Sequence, residues 1–326
     1  MVDTLTDVLH NIRSSGALVG RTLAVPPWSA RFDGGASLTL ATMLRGDARL
    51  VAGCARHSLL PNDVALVVGP EPFEIVSEPV ARPVSYSESG PEPGQAAHAA
   101  PIGEGSGIRN VRTDGTRLSD RRCRTQLESD HTLLTGSFHV SGRVADRLLD
   151  ALPRVLVVPR RAQRSSVLPL LEEEIGRDEP GRQAVLDRLL DLALVGALRD
   201  WFALPGSQAP GWYRAGSDPV VGIALAAIHD APEQPWTIEL LAREALVSRA
   251  TLARRFTDQV GEPPMSYLTG WRLCRAADLL DSETMTVETI AHEVGYSNAY
   301  ALSAAFHREY GVRPGQYRHG QRSEGS

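Results

Sequence analysis

The 326-residue chain contains no lysine, so all 34 of its basic residues are arginine. Cysteine is almost as scarce. Cys54, Cys123 and Cys274 are too far apart for a zinc-ligand spacing and odd in number, which excludes a disulfide framework and leaves buried thiols as the plain reading. A redox role for Cys54 or Cys123 stays open. No apolar run approaches the roughly 20 residues needed to cross a bilayer. The longest, around "LLDLALVGAL", is flanked by Arg188 and Arg199 and interrupted by Asp191. At the N-terminus, "MVDTLTDVLHNIRSSG" carries acids where a signal peptide needs positive charge, and it has no apolar h-region. These absences point to a cytoplasmic protein without a membrane partner. Excess positive charge is missing too: the net charge of −5 argues against a general nucleic-acid coat.

What is present is a soluble globular composition, 42% hydrophobic and 22% charged, at a length suited to about two domains. The chain also repeats itself. "LARRFTDQVGEPPMSY" begins at Leu252 and "LSAAFHREYGVRPGQY" at Leu302, with Leu, Phe, Gly, Pro and Tyr recurring 50 residues apart. Upstream, Thr237, Glu239 and Ala242 recur as Thr286, Glu288 and Ala291, an offset of 49. One residue has therefore been inserted where "EALVSR" becomes "EVGYSNA", at a turn that absorbs it without disturbing packing. Two copies are too few for a solenoid, so they read as a pair of similar small domains.

In the first copy, Thr237 is placed to cap a short helix with Ile238, Leu241 and Ala242 on one face. After the turn "LVS", Ser248 caps a second helix whose buried stripe is Leu252 and Phe256. Two short helices joined in this way form a helix-turn-helix, whose second member lies in the DNA major groove. The second copy repeats the pattern through "TVETIAHEV", a turn in which Gly295 can take positive φ, and "NAYALSAAFHREY". The stretch between, "PMSYLTGWRLCRAADLL", reads as a helical strut able to hold the two readers about 34 Å apart, one turn of the duplex.

With these residues in view, the stretch from about Asp218 to Arg318 resembles the DNA-binding region of AraC/XylS-family transcriptional regulators. The resemblance is carried by Ala242, Leu252, Phe256, Gly261, Pro264 and Tyr267, and then by Ile290, Ala291, Val294, Gly295, Tyr296, Phe306, Gly311, Pro314 and Tyr317. It implies double-stranded DNA and RNA polymerase as partners, and helix-turn-helix motifs at 237–260 and 286–310 within a domain spanning 219–319. The stripe residues are core, so binding falls to the opposite face. There the rotation brings Ala250, Thr251 and Arg254 toward bases, with Asp258 alongside. Arg254 is the best base reader because its planar fork matches the O6 and N7 acceptors of guanine. Arg249, Arg255 and Ser248 flank it as phosphate contacts. In the second copy Asn298, Ala299, Tyr300 and Ser303 face bases, beside Ala304, and Ser297 and Arg308 face phosphates. This second surface is chemically weaker. From residue 219 to the end there are ten Arg against thirteen acids, so non-specific affinity should be modest.

Between Leu18 and Val76, short apolar runs broken by Gly, Pro and Asp give an all-β signature, sandwich or barrel. "LRGDARLVAG" followed by "LLPNDVALVVGPEPFEI" resembles the cupin-type sensor domain found in one branch of AraC-family regulators, over about residues 5 to 160. The fold expected is therefore α+β: a cupin-like β-barrel at 1–142, a helical dimerisation and coupling segment at 143–204, a linker at 205–218, the all-α reader pair, and a disordered tail at 320–326. The rival reading is a cupin metalloenzyme, a dioxygenase or isomerase, fused to a reader. It would need His-x-His with a carboxylate and a later His. "SLTLATMLRG" has no His, Phe73 stands where the later one is expected, and His57, His98, His131 and His139 do not pair at ligand spacing. No metal or cofactor is expected. A third reading is a constitutive DNA binder with the barrel as dimerisation scaffold.

The helix "GRQAVLDRLLDLALVGALRDWFAL" has two apolar flanks, one with Leu186, Leu190, Ala193 and Ala197, the other with Val185, Leu189, Leu192 and Val195. One flank suits its own domain and the other a second copy, which makes a homodimer the expected assembly. The effector is expected to be a small, apolar or aromatic molecule in the barrel. Its lining is read from Leu38, Leu40, Thr42 and Leu44, although strand alternation alone leaves open which parity faces in. The Pro- and Gly-rich stretch from Ser77 to Gly107, "GEGSG" included, reads as a mobile insertion that could close over the pocket.

Overall fold

A computed structural model describes residues 12–13, 20–24, 26, 28–33, 35–77, 108–111, 131–140, 142–164, 167–177, 179–281 and 285–318. Most of the expected lid, together with His98, Cys123 and the tail, lies outside them. The chain divides into two compact units, one of residues 14–139 and 154–205, the other of residues 1–13, 140–153 and 206–326.

The first unit is a two-sheet sandwich. One sheet runs β10 (His131–Val140), β4 (Leu38–Arg45), β7 (Val64–Val68) and β11 (Val155–Val158), with β2 (Gly20–Ala24) also paired to β10, while the two-residue strand β1 (Ile12–Arg13) falls among the residues of the other unit. The other runs β6 (Ala55–Leu59), β5 (Ala48–Ala52), β8 (Phe73–Val76), β3 (Ser29–Phe32) and β9 (Ile108–Val111). Between β10 and β11 the chain forms helix α1 (Arg143–Asp150), which belongs to the second unit. After β11 come α2 (Leu168–Gly176) and α3 (Arg182–Phe202).

Strand β4 is buried along both faces from Leu38 to Leu44, which is why its sequence runs nearly continuously apolar instead of alternating. Directly paired residues of an antiparallel ladder share a face. Ala41 and Met43 therefore fall with Ala65, Val67, Leu133 and Val155, and these join Trp28, Phe32, Leu50, Phe73 and Ile75 of the second sheet in one apolar core. Phe32 and Phe73, partners across β3 and β8, stack there with ring centres 4.6 Å apart. Leu38, Leu40 and Thr42 fall with Phe138, Gly136 and Leu134 on the other face. That face is covered by α3: a Cβ added to Gly136 would lie 2.6 Å from the end of the Leu190 side chain, so the helix packs close against the strand here and a larger residue would make Leu190 shift.

Two expectations change. The even-numbered residues Leu38, Leu40, Thr42 and Leu44 do not line the space between the sheets, because their parity turns them toward the helical layer. The segment 143–204 is also not one helical element. The β-branched run "VLVV" at 155–158 pairs with β7 and divides it, leaving α1 with one unit and α2 and α3 with the other. Helix α3 does carry the two flanks read from its sequence. Leu186, Leu190, Ala193, Leu194 and Ala197 are buried, whereas Val185 and Leu192 are exposed. No helix among the described residues is long and apolar enough to cross a membrane.

The second unit is helical. Besides α1 it contains α4 (Gly211–Ala215), α5 (Val221–Asp230), α6 (Ile238–Glu244), α7 (Arg249–Val260), α8 (Pro264–Asp281), α9 (Val287–Glu293) and α10 (Ala299–Tyr310). Thr237 and Thr286 cap the equivalent helices α6 and α9, accepting from Leu240 and Thr289 amides at 3.2 and 3.1 Å. Gly261 and Gly311 end α7 and α10 in the left-handed conformation. In the two turns, Gly295 has φ 84 and its equivalent Leu246 has φ 54. The leucine accepts a backbone state that costs a non-glycine residue about 1 kcal/mol. Leu252 and Phe256, and then Leu302 and Phe306, are fully buried. Between the readers lies α8, 18 residues and so about 27 Å long. His229 of α5 stacks on Trp271 of α8 at 4.1 Å and pairs with the Tyr267 hydroxyl at 2.8 Å.

Candidate nucleic-acid interface

The first reader presents α7. With Leu252 and Phe256 inward, Ala250, Arg254 and Asp258 are exposed and Thr251 is half-buried. Among the described residues no hydrogen bond or ion pair holds the Arg254 guanidinium. Arg249, also exposed, pairs with Glu239 at 3.0 Å, a solvent-facing contact that a phosphate can replace. Ser248, expected on phosphate, is the N-cap: its Oγ accepts from the Thr251 amide at 3.2 Å and sits 2.8 Å from Thr251 Oγ1.

Arg255 departs from the expectation that it grips phosphate. Its Nη2 donates to Asp218 Oδ2 at 2.6 Å, and Gln259 Nε2 donates to the same oxygen at 2.8 Å. The other carboxylate oxygen accepts the Val220 and Val221 amides at 2.8 and 2.9 Å, capping α5. Burial alone would raise the pKa of Asp218, but the bonds from Gln259, Val221, Val220 and Arg255 hold it well below the usual carboxylate range. The two adjacent arginines are separated by helical rotation. Arg254 points out, whereas Arg255 turns back to fasten α7 to the start of α5.

The second reader is built alike but furnished differently. Ala299, Ala304 and Ala305 stand where the first has Arg249, Arg254 and Arg255. Tyr300 is 85% exposed at the start of α10, Ser303 is half-buried one turn on, and Arg308 is exposed at the position of Asp258. The inserted residue falls in the turn, so Asn298, not Ser297, is the cap. Its Oδ1 accepts from the Ala301 amide at 2.9 Å and its Nδ2 donates to Ser297 Oγ at 3.3 Å. A side chain whose carbonyl is already engaged cannot pair bidentately with adenine without giving up the cap. With no arginine at 299, Glu288 accepts the Ala299 amide instead, at 3.0 Å, and places a carboxylate at the helix start.

One cation escaped the sequence reading. Arg313 opens with Ser303, Val287, Pro314, Gly315 and Gln316 onto a shallow cleft of about 530 Å³. The signal was a break in the repeat, since the first copy has Pro263 at that place. Buried polar groups of β4 and β10 stand on both parities: Thr42 turns with Leu134 toward α3, and others face the second sheet. Thr39, Thr135 and Ser137 are buried on the same side of the sheet as Ala41 and Met43, facing the second sheet. Among the described residues no group of three metal-ligating side chains comes together.

Residues 3–203 match the family model described as Cupin, and residues 241–320 match that of a helix-turn-helix domain. An AraC-like transcription regulator of Streptomyces lividans is 31% identical over 323 residues, 97% of this chain and 98% of its own. The chain belongs to the AraC family of transcription regulators. Within the family it is also similar to the regulator AlkR of Acinetobacter baylyi, 34% identical over 197 residues, 58% of this chain and 64% of that one. Among solved structures it is similar to the DNA-binding domain of AdpA in complex with a target DNA, with 32% identity, 33% of this chain and 96% of that one covered, and a TM-score of 0.31. This AraC-family regulator therefore joins an N-terminal cupin domain to a C-terminal DNA-binding domain with two helix-turn-helix motifs.

Proposed function

We propose that this regulator draws most of its sequence preference from the first helix-turn-helix. Arg254 donates to the O6 and N7 of one guanine, Thr251 and Ala250 lie against neighbouring bases, and Arg249 exchanges Glu239 for a phosphate. The observation that carries this is the outward Arg254 guanidinium, without a partner among the described residues, set against alanine at the equivalent position of the second reader. Tyr300, Ala299, Ser303 and Asn298 then give the second reader a contact surface of shape and van der Waals fit. Arg308, Arg313 and Ser297 hold the backbone beside it. The test is selection from random duplex DNA with wild type and Arg254→Ala. The variant is expected to lose preference at one base pair, worth about 1 to 3 kcal/mol, while the rest of the motif persists. An unchanged motif would show that Arg254 reads no base.

The effector site proposed lies between the sheets, on the parity of Thr39, Ala41, Met43, Thr135 and Ser137. Such a lining offers hydroxyls and apolar surface without fixed charge, and so suits a small uncharged molecule with an apolar body and one or two hydrogen-bonding groups. A metabolite that raises the melting temperature should lose that effect in Ser137→Leu. Retention of the full shift would move the site elsewhere. The full-length Streptomyces relative is a transcription regulator, and no catalytic step is assigned to the β unit.

A further inference from the structure

Helix α1 is connected in sequence to β10, three residues before it, and to β11, five residues after it, yet it packs within the helical unit, along α8. The α8 residue Asp278 caps it, its carboxylate accepting the Arg143 and Val144 amides. Gly142 allows this approach: with φ 97 it turns the chain, and a Cβ there would lie 2.8 Å from Asp278 Oδ1. One helical turn apart on α1, Arg143 and Arg147 then reach different readers. The Arg147 guanidinium lies 4.5 Å from the ring centre of Tyr267 and pairs with Glu262 at 2.7 Å. Arg143 donates Nε to the Tyr317 hydroxyl at 3.1 Å, with its guanidinium 5.8 Å from that ring and 5.5 Å from the ring of Tyr310.

Tyr267 and Tyr317 are the same residue of the repeat, 50 positions apart. Each closes the core of its own reader: Tyr267 meets Phe256 edge-on at 5.7 Å, and Tyr317 meets Phe306 edge-on at 5.4 Å. The i, i+4 spacing of the two arginines places one cation on each equivalent ring. Among the described residues α8 also spans both readers, and Arg272 near its middle and the Glu233 backbone lie against Gly295 in the second reader's turn, where a Cβ would be 2.7 and 2.9 Å from them.

We propose that Arg143 and Arg147 are positioning residues for DNA recognition, which hold the two helix-turn-helix motifs at one relative setting and, through the short connections to β10 and β11, make that setting answerable to the β unit. Neither arginine needs to touch DNA, and the exposed faces of α7 and α10 remain open. A reader pair locked in this way tolerates only one spacing between its two major-groove segments, because each inserted base pair rotates the second segment by a tenth of a turn. Released, the pair would follow the duplex through bending of α8. The inference rests on both motifs contacting one duplex.

The experiment uses the full chain and the duplex it selects from a random pool. Affinity is measured for that duplex, for one with two base pairs inserted between the footprinted segments, and for one with the second segment scrambled. Wild type is expected to lose at least about tenfold on insertion, and Arg143→Gln/Arg147→Gln less than about threefold, with both binding the scrambled duplex within about twofold of each other. Tyr317→Phe, which removes only the acceptor of Arg143 Nε, should relax the spacing in the same direction by less. A wild-type spacing penalty in both variants would overturn the proposal. So would a wild type indifferent to insertion, or loss of scrambled-duplex binding in the double variant, since the arginines would then serve the first reader's own fold.

Discussion

At residue scale, neighbouring side chains of like chemistry have opposite fates. Arg255→Ala is expected to leave the selected motif intact and to lower stability by about 1 to 3 kcal/mol, because Asp218 loses a partner in a part-buried setting. Urea unfolding beside motif selection separates this from Arg254→Ala. A change of motif without a loss of stability would reverse the two roles. His229 gives a second prediction. Burial, with the Arg147 and Arg275 charges, lowers its pKa from the ordinary 6.5 to about 3. Below pH 6.5 the unfolded chain takes up a proton that the folded chain refuses, so this contribution is present above 6.5 and falls as pH drops toward 3. Asp278 works in the other direction. Burial raises it to about 6 against its amide bonds, so its contribution is lost as pH rises. The readout is therefore a difference: the stability penalty of His229→Phe relative to wild type should shrink by about 2 kcal/mol between pH 7.5 and pH 5. A constant penalty would mean that His229 titrates alike in both states.

At the scale of elements, the exposed flank of α3 is the surface proposed for a second copy of the chain. Val185 and Leu192 are 45% and 56% exposed, and Leu189 lies half-buried between them at helical spacing. Leu192→Glu is expected to shift the protein toward monomer in sedimentation velocity without lowering its melting temperature, since the inner flank is untouched. Wild type sedimenting as a monomer would remove the proposal. Elements also show what the sequence discloses. Both helix-turn-helix motifs were legible because Leu252, Phe256 and Tyr267 repeat at fixed spacing, and packing imposes that spacing. The parity of β4 was not legible. With a second sheet on one face and α3 on the other, both sets of side chains are apolar, and alternation carries no direction. The partners of Arg143 were equally hidden, since Asp278 and Tyr317 lie 135 and 174 residues away.

At the scale of the whole molecule, duplication followed by divergence has left two readers with one core and two surfaces. Local sequence sufficed to find the cores. Which arginine stayed free depended on Asp218, outside the repeat, and could be read only after folding. The central claim is that the readers are unequal, the first reading bases and the second mainly fitting and gripping. The most direct measurement is the affinity of the full chain for its selected operator and for every single-base-pair substitution of it. Under the first reader, at least one position should cost about 1 to 3 kcal/mol, and under the second each should cost less than about 0.5 kcal/mol. Penalties of equal size under both readers would contradict the account.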